Sequence, residues 1–177
     1  MTGRIKTVFE KVKPWISSII LLPITIYYII NNGRFTFIDY LNLLIHEGGH
    51  GVFKLFGNFI YTLGGTLTQI IIPTMFIVFY FTKRNKLGAQ IFLVWLGENF
   101  LNISVYASDA RAQKLPLLGG NKVYHDWTRM LSQTGLLERD QLVGTIFYVS
   151  GVLVFIVALI LPKYLKETEH IKLDLKI

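Results

Sequence analysis

The sequence predicts an all-α fold: a polytopic bundle of about five transmembrane helices with one amphipathic helix at the interface. Three observations carry this expectation. Apolar residues make up 52% of the 177, above the range usual for soluble domains, while charged residues make up only 16% and mean hydropathy is +0.47. The apolar residues fall into five runs, each close to the ~20 residues that a helix needs to cross a bilayer. Basic residues gather at run edges, at 4–13, 83–86 and 163–176, which suits contact with anionic lipid headgroups.

The first run, residues 15–30, follows Arg4, Lys6, Lys11 and Lys13. No small-residue cleavage site follows it, so it reads as a retained anchor, kinked at Pro23. The second, 35–56, is long enough to span yet carries Asp39, Asn42, His46, Glu47, His50 and Lys54. The third, 60–81, holds Gly64, Gly65, Gln69 and Pro73, and the fourth, 87–111, holds Gln90, Glu98, Asn99, Asn102 and Asp109. The fifth, 142–161, is the cleanest. Between the last two, the turn-rich LPLLGGNK leads to YHDWTRMLSQTGLLE. There Trp127, Met130, Leu131, Leu136 and Leu137 recur at helical spacing, as in a short amphipathic helix lying at the membrane surface. The organisation expected is a basic amino-terminal tail over 1–14, a transmembrane catalytic domain over 15–162 and a charged tail over 163–177. The expected location is a bacterial cytoplasmic membrane, as a multi-pass integral protein. With the amino terminus inside, the inner segments would hold ten of the 18 Lys and Arg, so the positive-inside rule sets orientation only weakly.

The net charge of +7 does not point to nucleic acid, because basic and aromatic residues are not interleaved. Membrane lipids are the partners that the charge pattern fits. The chain has no cysteine, which excludes disulfides and thiolate metal sites. A metal would need His, Asp or Glu, and only four histidines exist: His46, His50, His125 and His170.

Two of them sit in His46-Glu47-Gly48-Gly49-His50. Histidines at i and i+4 share a helical face, so both imidazoles can reach one ion. The glutamate between them points about 100° away, free to take a proton from a water that Zn2+ has acidified to a pKa of ~7. Glu47 is therefore the expected general base. Polar groups in an apolar span cost a few kcal/mol each if charged, so simple helix–helix hydrogen bonding explains the spacing poorly. Gly48 and Gly49 would serve close helix packing or leave room for substrate backbone beside the metal.

A catalytic zinc needs a third protein ligand. Asp109 is the first choice, since Glu98, Asn102 and Asp109 share one face of the fourth run, which should look into the bundle. Asp126 and His125 are the alternatives, and His125 is also a candidate to stabilise a developing oxyanion. Gln69, four residues before Pro73, and Asn102 are candidate substrate-binding groups, with a kinked helix as the plainer reading of Gln69.

HEGGH in an apolar run, followed by a Gly-Gly…Gln…Pro run and an aspartate-bearing one, resembles the site-2 protease family of intramembrane zinc metalloproteases over roughly residues 35–127. The family completes its zinc site with an aspartate in an Asn-Pro…Leu-Asp-Gly-like motif. Here Leu115-Pro116-Leu117-Leu118-Gly119-Gly120 has leucine in that place, and Asp109 lies upstream. The resemblance implies a zinc cofactor and cleavage of single-pass transmembrane substrates within the bilayer. It also implies regulated release of a membrane-tethered regulator, with room for a regulatory membrane partner. The alternative reading is a membrane metal-ion transporter or a non-catalytic zinc-binding scaffold, but no repeat or His-rich loop is visible.

Overall fold

The computed structural model describes residues 2–116 and 125–165, with side chains from Thr7 onward. The turn-rich LPLLGGNK from Leu117 on, His170 and most of the charged tail lie outside the described residues. All secondary structure among the described residues is helical. Helix α1 (Thr2–Val12) passes through a 3-10 turn (Lys13–Trp15) into α2 (Ile16–Ile30), so the segment expected as a basic tail is helical and continuous with the first anchor. Helices α3 (Phe37–Phe53), α4 (Asn58–Thr82) and α5 (Lys86–Ser108) follow, then the short α6 (Asp126–Gln133) and α7 (Asp140–Ile160).

Local chemistry explains the boundaries. The Asp39 carboxylate, one turn into α3, reaches back to accept the Thr36 backbone N–H at 2.6 Å and its hydroxyl at 2.7 Å, pinning the helix start. Gly57, at φ +85°, turns the chain from α3 into α4, a conformation that costs glycine little. The Asn85 side chain accepts the Gly88 N–H at 2.9 Å at the start of α5. Pro23 and Pro73 lie inside α2 and α4, which continue past them.

Three stretches are long and apolar enough to cross a membrane: Thr7–Ile30, Asn58–Thr82 and Leu137–Lys163, of 24, 25 and 27 residues. At 1.5 Å per residue each exceeds the ~30 Å hydrocarbon thickness. Their outer faces carry Ile19, Ile20, Val78, Phe79, Ile146 and Leu153 exposed, a larger apolar exterior than a soluble domain tolerates. Helices α3 and α5 are not in this class. The first has 17 residues, and both are polar where they face each other.

Helix α5 is the hub, packing against α2, α4 and α7. On one side it joins Leu21, Leu93, Leu101, Phe155 and Ala158 in an apolar cluster. Ile103 and Ala107 at its far end, with Ala110 just beyond it, pack with Trp127, Met130 and Leu131 of α6. The amphipathic helix expected between the last two runs therefore buries its apolar face against protein. That packing brings the first residue of α6, Asp126, to the end of α3.

Candidate metal centre

His46 and His50 stand one turn apart on α3, both buried, with ring centroids 4.9 Å apart. Close packing of α4 makes their place. A Cβ on Gly65 would strike the His46 ring at 2.5 Å, and Cβ atoms on Gly49 and Gly64 would collide with the facing backbone. Gly49 thus serves helix packing, whereas a Cβ on Gly48 would meet nothing within 4 Å.

Each ring is held by its Nδ1. His46 Nδ1 lies 2.8 Å from Gln69 Oε1, and His50 Nδ1 lies 2.8 Å from the Tyr61 carbonyl. The Gln69 amide nitrogen faces Asn99 and Asn102 oxygens at 3.3 and 3.2 Å, so its oxygen is the atom left for His46. Both partners are acceptors, hence both Nδ1 atoms donate and both Nε2 atoms carry the lone pair in the neutral rings. Those two lone pairs converge on one oxygen: Asp126 Oδ2 is 3.0 Å from His46 Nε2 and 3.2 Å from His50 Nε2. Three electron-rich atoms this close repel unless protons or a cation lie among them. They fit a cation, since all three lie within 4.8 Å of one another. Zinc bonds of about 2.0–2.1 Å in a tetrahedron put ligand atoms about 3.3 Å apart. Nδ1–H bonds to carbonyl oxygens are also what orients metal-binding imidazoles.

Glu47 is exposed on α3 and makes no hydrogen bond to the described residues. It lines a cavity of about 380 Å3 together with His46, His50 and Asp126, which runs to the 31–36 loop and also meets Tyr106 and Arg129. Candidate base and candidate ligands thus share one accessible space.

A polar network braces this centre. From Gln69 it runs to Asn102, whose amide donates to Asp39 Oδ1 at 2.6 Å. Alongside, Asn42 donates to Glu98 at 2.6 Å and accepts from the Trp95 indole at 2.9 Å. Gln69 and Asn102 do line the cavity, but their hydrogen-bonding atoms are taken up in holding His46 and Asp39, not presented to a substrate.

Asp109 does not join the ligand group. It caps the end of α5, and its carboxylate accepts the Lys114 and Leu115 backbone N–H groups at 3.0 and 2.9 Å. The carboxylate that meets both imidazoles is that of Asp126, the alternative. The helical face read for Asp109 ends one residue too early, because α5 stops at Ser108. His125 is turned away as well. Its Nδ1 accepts the Thr128 N–H at 3.3 Å, and its Nε2 faces Asp109 Oδ2 at 3.5 Å. Burial pushes the His125 pKa down, against the pull of Asp109, so the ring is a neutral brace at the start of α6.

Tyr106 escaped the sequence reading. Its hydroxyl accepts the Asp126 backbone N–H at 3.2 Å and donates to Asp126 Oδ2 at 3.4 Å. The signal was present in the 98, 102, 106 spacing, which extends the Glu98–Asn102 stripe by one more turn. No protein-family model, curated protein or solved structure matches this chain.

Proposed function

We propose that this chain is a membrane-embedded zinc peptidase that hydrolyses peptide bonds of transmembrane substrates. His46, His50 and Asp126 would hold the ion, and Glu47 would act as general base. The observation that carries this reading is the pair of imidazoles whose Nδ1 protons are committed to carbonyls while both Nε2 atoms meet Asp126, beside a free carboxylate in the same cavity. Zinc, when bound, supplies Lewis acidity: it lowers the pKa of water from 15.7 to about 7 and polarises a carbonyl. Glu47 takes the proton of the attacking water and returns it to the departing amine nitrogen. The buried polar network keeps the His46 ring fixed through this cycle.

In this reading α3 and α5 also cross the bilayer, making five spans. Where they face each other their polar residues pair, Asn42 with Glu98 and Trp95, and Asp39 with Asn102, which lets two helices of modest hydropathy lie in lipid. Substrates are single-pass helices that must unwind locally, because helical carbonyls are shielded by their own hydrogen bonds.

The test uses purified protein in detergent, with fluorescein-labelled casein as an unstructured substrate, and proteoliposomes carrying tagged single-pass segments. Zinc content and cleavage are measured for wild type and Glu47→Gln. The expected result is one zinc per chain in both, with cleavage lowered about 10²–10⁴-fold in the variant and abolished by chelation. Cleavage unaffected by the variant would overturn the role of Glu47. Zinc crossing the vesicle membrane without cleavage would establish the transporter reading instead.

A further inference from the structure

Hydrolysis of a peptide bond needs a donor for the carbonyl oxygen as it becomes an oxyanion, and the side chains around the cavity narrow the choice. Asn102 and Gln69 are committed to the polar network. His125 points its Nε2 toward Asp109 and does not line the cavity. Arg129 lines it, but no hydrogen bond or ion pair to the described residues fixes its guanidinium there. Tyr106 lines it and is fixed: its ring packs on His125 at 4.4 Å and on His46 at 5.8 Å between centroids, and its oxygen accepts the Asp126 N–H at 3.2 Å.

We infer that the Tyr106 hydroxyl is a catalytic residue, the hydrogen-bond donor to the oxyanion formed during peptide-bond cleavage. This rests on the peptidase reading of the same cavity. The hydroxyl donates a long hydrogen bond, 3.4 Å, to Asp126 Oδ2, the atom on which both imidazole Nε2 atoms converge. Any carbonyl bound beside that atom is therefore within reach of the phenol. Accepting an N–H polarises the O–H and makes it a better donor. A ligand role for Oδ2 would release the phenol proton from that bond to turn into the cavity.

The step balances as follows. Water oxygen bonds to the scissile carbonyl carbon while Glu47 accepts one water proton. The C=O π pair moves to oxygen, which receives the Tyr106 hydrogen bond without proton transfer. As C=O reforms, the C–N bond breaks and its electron pair takes the proton held by Glu47, leaving a carboxyl and an amine.

Tyr106→Phe removes only the hydroxyl and keeps both ring contacts. Zinc content and affinity are measured by chelator competition, kcat and KM on labelled casein, and inhibition by a peptide phosphonate whose charged oxygens imitate the oxyanion. The expected outcome is unchanged zinc, KM within about threefold, kcat lowered about 10²–10³-fold and phosphonate binding weakened in parallel. An unchanged kcat overturns the inference. So does a loss that added zinc restores, or one that tracks zinc that cannot be reloaded, since the hydroxyl would then only seat Asp126. Wild-type protein that cleaves neither casein nor the single-pass segments defeats the peptidase reading itself, before the variant is compared.

Discussion

Two His–Asp groups lie at the same end of this molecule, and they are built oppositely. In one, His46 and His50 spend their Nδ1 protons on carbonyls and turn bare Nε2 atoms to Asp126. In the other, His125 spends its Nδ1 lone pair on a backbone N–H and turns its Nε2 toward Asp109. The first lines a cavity; in the second, His125 is buried, and neither it nor Asp109 lines that cavity. A histidine near an aspartate is therefore not yet a metal site. What decides is which ring nitrogen the surroundings have already engaged, and whether the remaining one is a donor or an acceptor.

The largest effects should fall along that divide. Replacing His46, His50 or Asp126 singly by Ala should take zinc from one per chain to none, read by elemental analysis after purification at limiting zinc. Asp109→Ala should keep full zinc, because its carboxylate serves the Lys114 and Leu115 amides. Asp109→Ala protein without zinc would erase the distinction between the groups.

The same divide explains what was legible in the sequence. His46, Glu47 and His50 lie within one turn of one helix, so spacing alone sets their relation. The apolar stretches now found at Thr7–Ile30, Asn58–Thr82 and Leu137–Lys163 were readable as runs for a similar reason: hydropathy is a local sum. Asp126 reaches His46 across 80 positions, and its placement depends on Trp127, Met130 and Leu131 packing onto α5 and α4. Periodicity showed that this short helix has an apolar face, but not whether the face meets lipid or protein. Asp109 misled because helix-face arithmetic assumes the helix continues, and α5 ends one residue before it. Tyr106 continues the Glu98–Asn102 stripe by one turn, but its type hid that signal: one aromatic among many in an apolar chain stands out only when its hydroxyl is seen beside a carboxylate.

A smaller effect tests how the first group is braced. Gln69→Leu keeps the size of the side chain near His46 but removes the acceptor for its Nδ1–H. The ring then loses its fixed orientation, and Asn99 and Asn102 lose a donor. Zinc affinity should fall about 10–100-fold, measured by chelator competition, with full loading at saturating zinc. Unchanged affinity would mean that α3 alone orients the ring.

The smallest effect probes the second group, and here the comparison can be made within one position. His125 caps α6 through its Nδ1, so His125→Ala should lose that cap while His125→Asn, with a side-chain oxygen suited to the same place, should retain it. Both lose the ring that packs on Tyr106, so that shared loss cancels between them. The alanine variant should be less stable by about 1 kcal/mol, measured by thermal unfolding of the zinc-free protein in detergent. Zinc affinity should be the same in both and close to wild type, because neither change touches an Nε2 or Oδ2 atom of the first group. An affinity loss as large as that of Gln69→Leu would show that the brace at the start of α6 sets the position of Asp126 as strictly as Gln69 sets His46.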